Sequence, residues 1–138
     1  MLIKLFMKLN ILLIKASGGR LGSRMGRGAI HILRTVGRRT KKPRETPIVV
    51  FRDGEDYLVV ASNWGRETSP AWYYNLQSQP AAQIQAGKQL IPVKAREALD
   101  AEYDRLWGLV TSQNSLYLRY QEKITRLIPI MILEPVEA

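Results

Sequence analysis

From Ala29 onward the chain alternates apolar and polar positions in short runs. AIHILRTV and TPIVVFRD are strand-like and are separated by the polar, turn-rich GRRTKKPRE; DGED then makes a tight turn into YLVVASN. In the second run Val49 and Phe51 interleave with Ile48, Val50 and Arg52, whereas Leu58, Val59, Val60 and Ala61 follow one another, as expected of a strand covered on both faces. A short helix comes next: Ser69 can cap it, Pro70 suits its first turn and Pro80 stops it. AAQIQAG and KQLIPVKARE read as a hairpin turning at Gly87-Lys88. Asp100 caps a second helix in which Tyr103, Leu106, Trp107 and Val110 recur at i, i+3, i+4 and i+7; SLYLRYQEKITR is a third helix and IPIMILEP a final strand. Five or six antiparallel strands with helices between them predict an α+β protein built on a small barrel or curled sheet. The alternation is too irregular for a doubly wound parallel fold.

The first residues follow a different pattern. In LIKLFMKLNILLIKA, Lys4, Lys8 and Lys15 fall on one side of a helix and leucines fill the rest, so residues 1–17 read as an amphipathic helix preceding a domain at 18–138. The run is too short to span a bilayer, which needs about 20 apolar residues. Three readings stay open for it: a cover for one side of the domain, a signal peptide ending at Ala16-Ser17-Gly18, or a peripheral membrane contact through residues 1–15. SGGRLGSRMGRG, which follows, is a glycine-rich loop without the order of a phosphate-binding P-loop.

Composition removes several chemistries. With no Cys and a single His, His31, the chain has no disulfide, no thiolate nucleophile and no histidine pair for zinc, and no metal site is expected. Charge is more informative. Residues 1–52 hold 13 Lys+Arg against one acid, Glu45, while residues 53–138 hold 8 against 11. The first third is therefore a landing site for an anion: a nucleic acid, a membrane surface or a small polyanion. Nucleic acid is disfavoured, because no Trp, Tyr or Phe lies between Met7 and Phe51 to stack on bases.

Three constellations carry candidate chemistry. The turn GRRTKKPRET crowds Arg38, Arg39, Lys41, Lys42 and Arg44 between two strands, an arrangement relieved by phosphate or carboxylate, although a solvated basic turn would read the same. The stretch SNWGRETSPAWYYNLQ places Ser62, Asn63 and Trp64 at a strand end and Trp72, Tyr73 and Tyr74 at a helix start. Three consecutive aromatics cannot share one core-facing stripe, so part of the group is free to wall a ligand. Tyr117 and Tyr120 lie three apart on one helical face, where two phenols can line a flat ligand or simply pack. Paired carboxylates suited to acid–base work do not stand out.

In order and spacing, GRRTKKPRETPIVVFRDGEDYLVVASN, SPAWYYNLQSQP and YQEKITRLIPIMILEP resemble the deazaflavin-dependent nitroreductase family of split-barrel flavin-type oxidoreductases, over about Gly18 to Pro135. The resemblance implies a split β-barrel that binds coenzyme F420, a deazaflavin with a phosphate and several glutamates in its tail. It implies that Arg38, Arg39, Thr40 and Arg44 hold phosphate and tail, that Thr46 and Pro47 border the ring, and that Ala61, Ser62, Asn63, Trp72 and Tyr73 enclose ring and linker. Tyr117 matches the family's substrate-facing tyrosine and is the expected catalytic residue, with Trp64 and Tyr120 on the substrate side. The implied activity is hydride transfer from F420H2 to a small quinone-like, nitroaromatic or other conjugated acceptor, in the cytoplasm or on the cytoplasmic face of a membrane. The alternatives are FMN or heme as cofactor, a deazaflavin carrier without turnover, or a basic membrane- or nucleic-acid-binding module. The sequence does not state an oligomeric order.

Overall fold

A computed structural model describes residues 28–136. Strands β1 (Ala29–Val36), β2 (Pro43–Asp53) and β3 (Asp56–Val60) form an antiparallel meander; helix α1 (Ala71–Ser78) leads to the hairpin β4 (Ala81–Ala86) and β5 (Gln89–Glu97). Helices α2 (Asp100–Gln113) and α3 (Leu116–Lys123) then precede β6 (Ile130–Pro135). β6 inserts between β3 and β5, and β4 pairs with β1, so the order β1-β2-β3-β6-β5-β4 closes into a barrel with antiparallel pairing throughout. The expected α+β barrel is thus present with six strands and three helices. The amphipathic helix expected at residues 1–17, and the membrane contact assigned to residues 1–15, lie outside the described residues.

Alternation along the strands sorts side chains into two cores. Val59, Tyr57 and Ala61 of β3 and its end, Val50 of β2, and Met131 and Leu133 of β6 point into the barrel, where Trp72, Tyr73 and Leu76 of α1 join them. Leu58, Val60, Phe51, Ile130 and Ile132 point outward and are covered by Tyr103, Leu106 and Val110 of α2 and Tyr117 of α3. The apolar run at Leu58 to Ala61 is accordingly buried on both faces, each fully buried aliphatic side chain contributing about 1.5–3 kcal/mol. Both tight turns fall where the sequence places them, with Gly54 at φ 61 and Gly87 at φ 63, a conformation that glycine adopts without a Cβ penalty.

The helix caps differ from expectation. Neither Ser69 nor Asp100 caps through its side chain: Pro70 occupies the cap position of α1 and Leu99 that of α2. The Ser69 hydroxyl instead accepts a hydrogen bond from Arg126 Nη1 at 3.2 Å, and Asp100 lies inside the first turn with φ 54, where its charge still complements the helix dipole.

Candidate active site

The basic turn is built by its backbone. Gly37 and Lys42 close it through Gly37 N–H to Lys42 O and Lys41 N–H to Gly37 O, both 2.8 Å. A Cβ at Gly37 would stand 2.6 Å from Thr40 Oγ1, so only glycine allows this close approach. Thr40 Oγ1 accepts from Arg44 Nη2 and from the Lys42 N–H, each at 3.3 Å. The turn is tied to α1 by Asn75, which is buried. Its Oδ1 accepts from the Arg38 N–H at 3.0 Å, and its Nδ2 donates to Thr35 Oγ1 at 3.2 Å. The Arg38 guanidinium lies over the Tyr74 ring, 4.6 Å from its centroid. Between turn and helix opens a cleft of about 390 Å³ lined by Gly37, Arg38, Arg39, Thr40, Arg44, Glu45, Thr46, Ala71, Trp72 and Asn75.

Six expected site residues therefore meet in one cleft: Arg38, Arg39, Thr40, Arg44, Thr46 and Trp72. Glu45, also on its wall, pairs across the strands with Arg34 Nε at 3.8 Å. No salt bridge among the described residues joins a carboxylate to Arg38, Arg39, Lys41, Lys42 or Arg44. Pro47 takes the opposite parity to Thr46 on β2 and so lies on the outer side with Val49 and Phe51.

A second group gathers around the end of β3 and helix α3. Ser62 is buried, Asn63 is half-buried and Trp64 is exposed at 60%. Asn63, Trp64 and Gly65 have φ of 49°, 61° and 76°, three successive residues in the left-handed region. Asn63 Nδ2 donates to Thr68 O at 2.8 Å, and Gly65 N–H to Ser62 O at 2.9 Å. A Cβ on Gly65 would stand 2.9 Å from Tyr120 Cδ1, so the turn lies directly against that ring. The Tyr120 ring meets Tyr117 edge-on at 6.1 Å, and Tyr117 meets Phe51 at 6.0 Å.

The tyrosine hydroxyls divide by partner. Tyr103 donates to Ile128 O at 2.6 Å, and Tyr73 donates to Glu97 Oε1 at 2.6 Å while accepting from Gln77 Nε2 at 2.9 Å. Tyr117 has no hydrogen-bond partner among the described residues; burial, then the neighbouring Tyr120, pushes its hydroxyl up to about 12. It is a protonated donor, available to an incoming acceptor. Two further expected residues lie outside the basic cleft: Ala61 and Tyr73 are in the barrel interior, and the Tyr73 hydroxyl is bound to the end of β5. Asn75 and Arg126 were not singled out, although both stand in quoted motifs, WYYNL and TRLIP. Among the described residues no group of His, Asp and Glu is placed to hold a metal.

The family model for F420H2-dependent quinone reductases matches residues 6–135. The chain belongs to this family. An F420H2-dependent quinone reductase of Mycobacterium tuberculosis strain H37Rv is 36% identical over 131 residues, covering 92% of this chain and 88% of that one. A solved F420-H2-dependent reductase (FDR-A) is 33% identical with a TM-score of 0.70, covering 76% of this chain and 93% of its own. A second solved structure, of a domain-swapped dimer, is 30% identical with a TM-score of 0.74 over 92% of this chain and 93% of its own. As a member of the F420H2-dependent quinone reductases, the chain is a split-barrel oxidoreductase whose cofactor is F420. The residues present fit that group: a cleft with three arginines, none paired to a carboxylate among the described residues, suits a tail that carries phosphate and glutamates.

Proposed function

We propose that the cleft between the basic turn and α1 holds the phosphate and tail of F420, and that the outer side of β2 and β3, toward α3, receives ring and acceptor. The observation that carries this reading is the set of arginines gathered, without carboxylate partners among the described residues, on a turn that Gly37, Thr40 and Asn75 hold in shape. Arg38, Arg39 and Arg44 bind anionic oxygens, with Thr40 orienting Arg44; Thr46 and Trp72 form the wall where tail gives way to ring. Pro47, Ser62 and Asn63 border the ring.

When bound and reduced, F420 supplies a hydride from the carbon that stands where a flavin has its reactive nitrogen. The chain's own task is to orient the acceptor and to stabilise the negative charge that develops on its oxygen. Tyr117 does this by donating its unpartnered O–H, and Trp64 and Tyr120 shape the approach. Quinones fit this donor best, because reduction leaves a phenolate-type oxygen to accept its hydrogen bond, the proton that completes the phenol coming from solvent; nitroaromatic and other conjugated acceptors present similar oxygens.

The test is a titration with oxidised F420 followed by its fluorescence. Replacing Arg38 and Arg44 together by Ala removes two charge-assisted contacts of about 1.5 kcal/mol or more each, which weakens binding about 100-fold or more. Unchanged affinity in the double variant refutes the tail assignment, and binding of FMN or heme in preference to F420 refutes the cofactor site.

A further inference from the structure

Three consecutive left-handed residues, one of them an exposed tryptophan, are an arrangement that isolated backbone avoids. Such a turn persists only where its surroundings over-determine it, and here they centre on one side chain. Arg126 Nε donates to Arg66 O at 3.1 Å. Its Nη1 donates to Ala61 O at 3.1 Å and Ser69 Oγ at 3.2 Å, and its Nη2 to Ser62 O at 3.1 Å and Thr68 O at 3.2 Å. A guanidinium has five N–H donors, and all five are spent on residues 61–69. The adjacent Thr125 adds a second stitch, its N–H and hydroxyl reaching the Glu67 carboxylate at 2.6 and 2.8 Å. Gln121 fixes the other side: it donates to Arg126 O and accepts from the Ile128 N–H, which binds the segment to α3, the helix of Tyr117 and Tyr120.

We propose that Arg126 is a positioning residue for the acceptor: it holds the Asn63-Trp64-Gly65 turn in its left-handed form, and so seats Gly65 on the Tyr120 ring and fixes where the exposed Trp64 stands at the mouth of the reaction site. This rests on the reading of Trp64 and Tyr120 as the acceptor side. The planar fork is essential, because five acceptors spread over nine residues match a guanidinium and exceed the three donors of an ammonium. Arg126 makes none of these contacts to the basic cleft, so its influence falls on the acceptor and spares the F420 tail.

The experiment compares Arg126→Lys, Glu67→Ala, Trp64→Ala and the Arg126→Lys/Trp64→Ala double variant in the full chain. Amide hydrogen exchange of the cofactor-free protein gives a readout apart from turnover. In Arg126→Lys, residues 61–70 lose protection while β3 and β6 keep theirs. The F420 dissociation constant, set mainly by the tail in the basic cleft and only in part by Ser62 and Asn63 beside the ring, rises by no more than about threefold, while the KM for a soluble quinone such as menadione rises about tenfold or more. Glu67→Ala, which leaves Arg126 in place, shows the same signature in weaker form and stands in should the lysine variant fail to fold. In the Trp64→Ala background, Arg126→Lys changes KM little further, because the residue through which it acts is gone. Unchanged exchange at 61–70 overturns the proposal, as do fully additive KM effects or a loss of F420 affinity in step with KM. An enzyme that binds F420 but turns over no quinone fails the reading of the acceptor side, and the exchange data still decide whether Arg126 holds the turn.

Discussion

At the scale of single residues, the tyrosines show how environment assigns roles to one side chain. Tyr73 and Tyr103 are fixed by their hydroxyl partners, whereas Tyr117 has a buried ring and an O–H without a partner among the described residues. Tyr117→Phe is therefore expected to leave F420 binding unchanged and to lower kcat roughly tenfold to a hundredfold, measured by steady-state quinone reduction. An unchanged kcat would remove Tyr117 from the chemistry. Its pH dependence has a definite sign. The folded hydroxyl keeps its proton beyond the ordinary tyrosine value of about 10. Donation therefore holds across the neutral range, and the stability contributed by its burial is complete below pH 10 and lost as pH rises through about 12. Tyr103, also raised to about 12 by burial, adds to the same alkaline transition. A chemical denaturation series at pH 9 to 12 measures it.

At the scale of elements, α1 and the β1–β2 turn are one unit joined by Asn75. Asn75→Ala leaves the Thr35 hydroxyl and the Arg38 N–H without this partner, which costs about 1–3 kcal/mol of stability in urea unfolding and loosens the cationic turn. The same unit shows what sequence can reveal. Strands, turns and helices were legible because alternation, glycine positions and the i, i+3, i+4 pattern are local signals, and the basic turn was legible as a run of like charges. The caps were not: Ser69 has the right chemistry at the right place, but a guanidinium 57 residues away engages its hydroxyl. The hydroxyl partner of Tyr73 was not legible either, because nothing near it in sequence points to Glu97, 24 residues on. The cleft residues from Arg38 to Thr46 lie together in sequence as well as in space. Arg126 and Asn75 act only across the fold, so their motifs could be quoted without their roles being read.

At the scale of the molecule, charge is segregated, with the acids concentrated after residue 52 and the cleft arginines in no salt bridge among the described residues. Binding of a polyanionic tail to such a cleft is expected to weaken severalfold as salt rises from about 0.05 to 0.5 M, since the Debye length falls below 10 Å. Titrations at the two salt concentrations test this, and salt-independent affinity would count against the tail site. No helix among the described residues is long and apolar enough to cross a membrane. The placement of β6 also has a bearing on how the chain is made. The other five strands already form one sheet, linked through the β1–β4 pair, and β6 fills the gap between its edges β3 and β5, so a nascent chain carries two unpaired sheet edges until Ile130–Pro135 leaves the ribosome. A chain halted before Ile130 is therefore expected to partition into the insoluble fraction of an expression lysate. The same late strand that completes the core acts as a checkpoint: F420 meets a finished pocket only on chains that were translated to the end of β6.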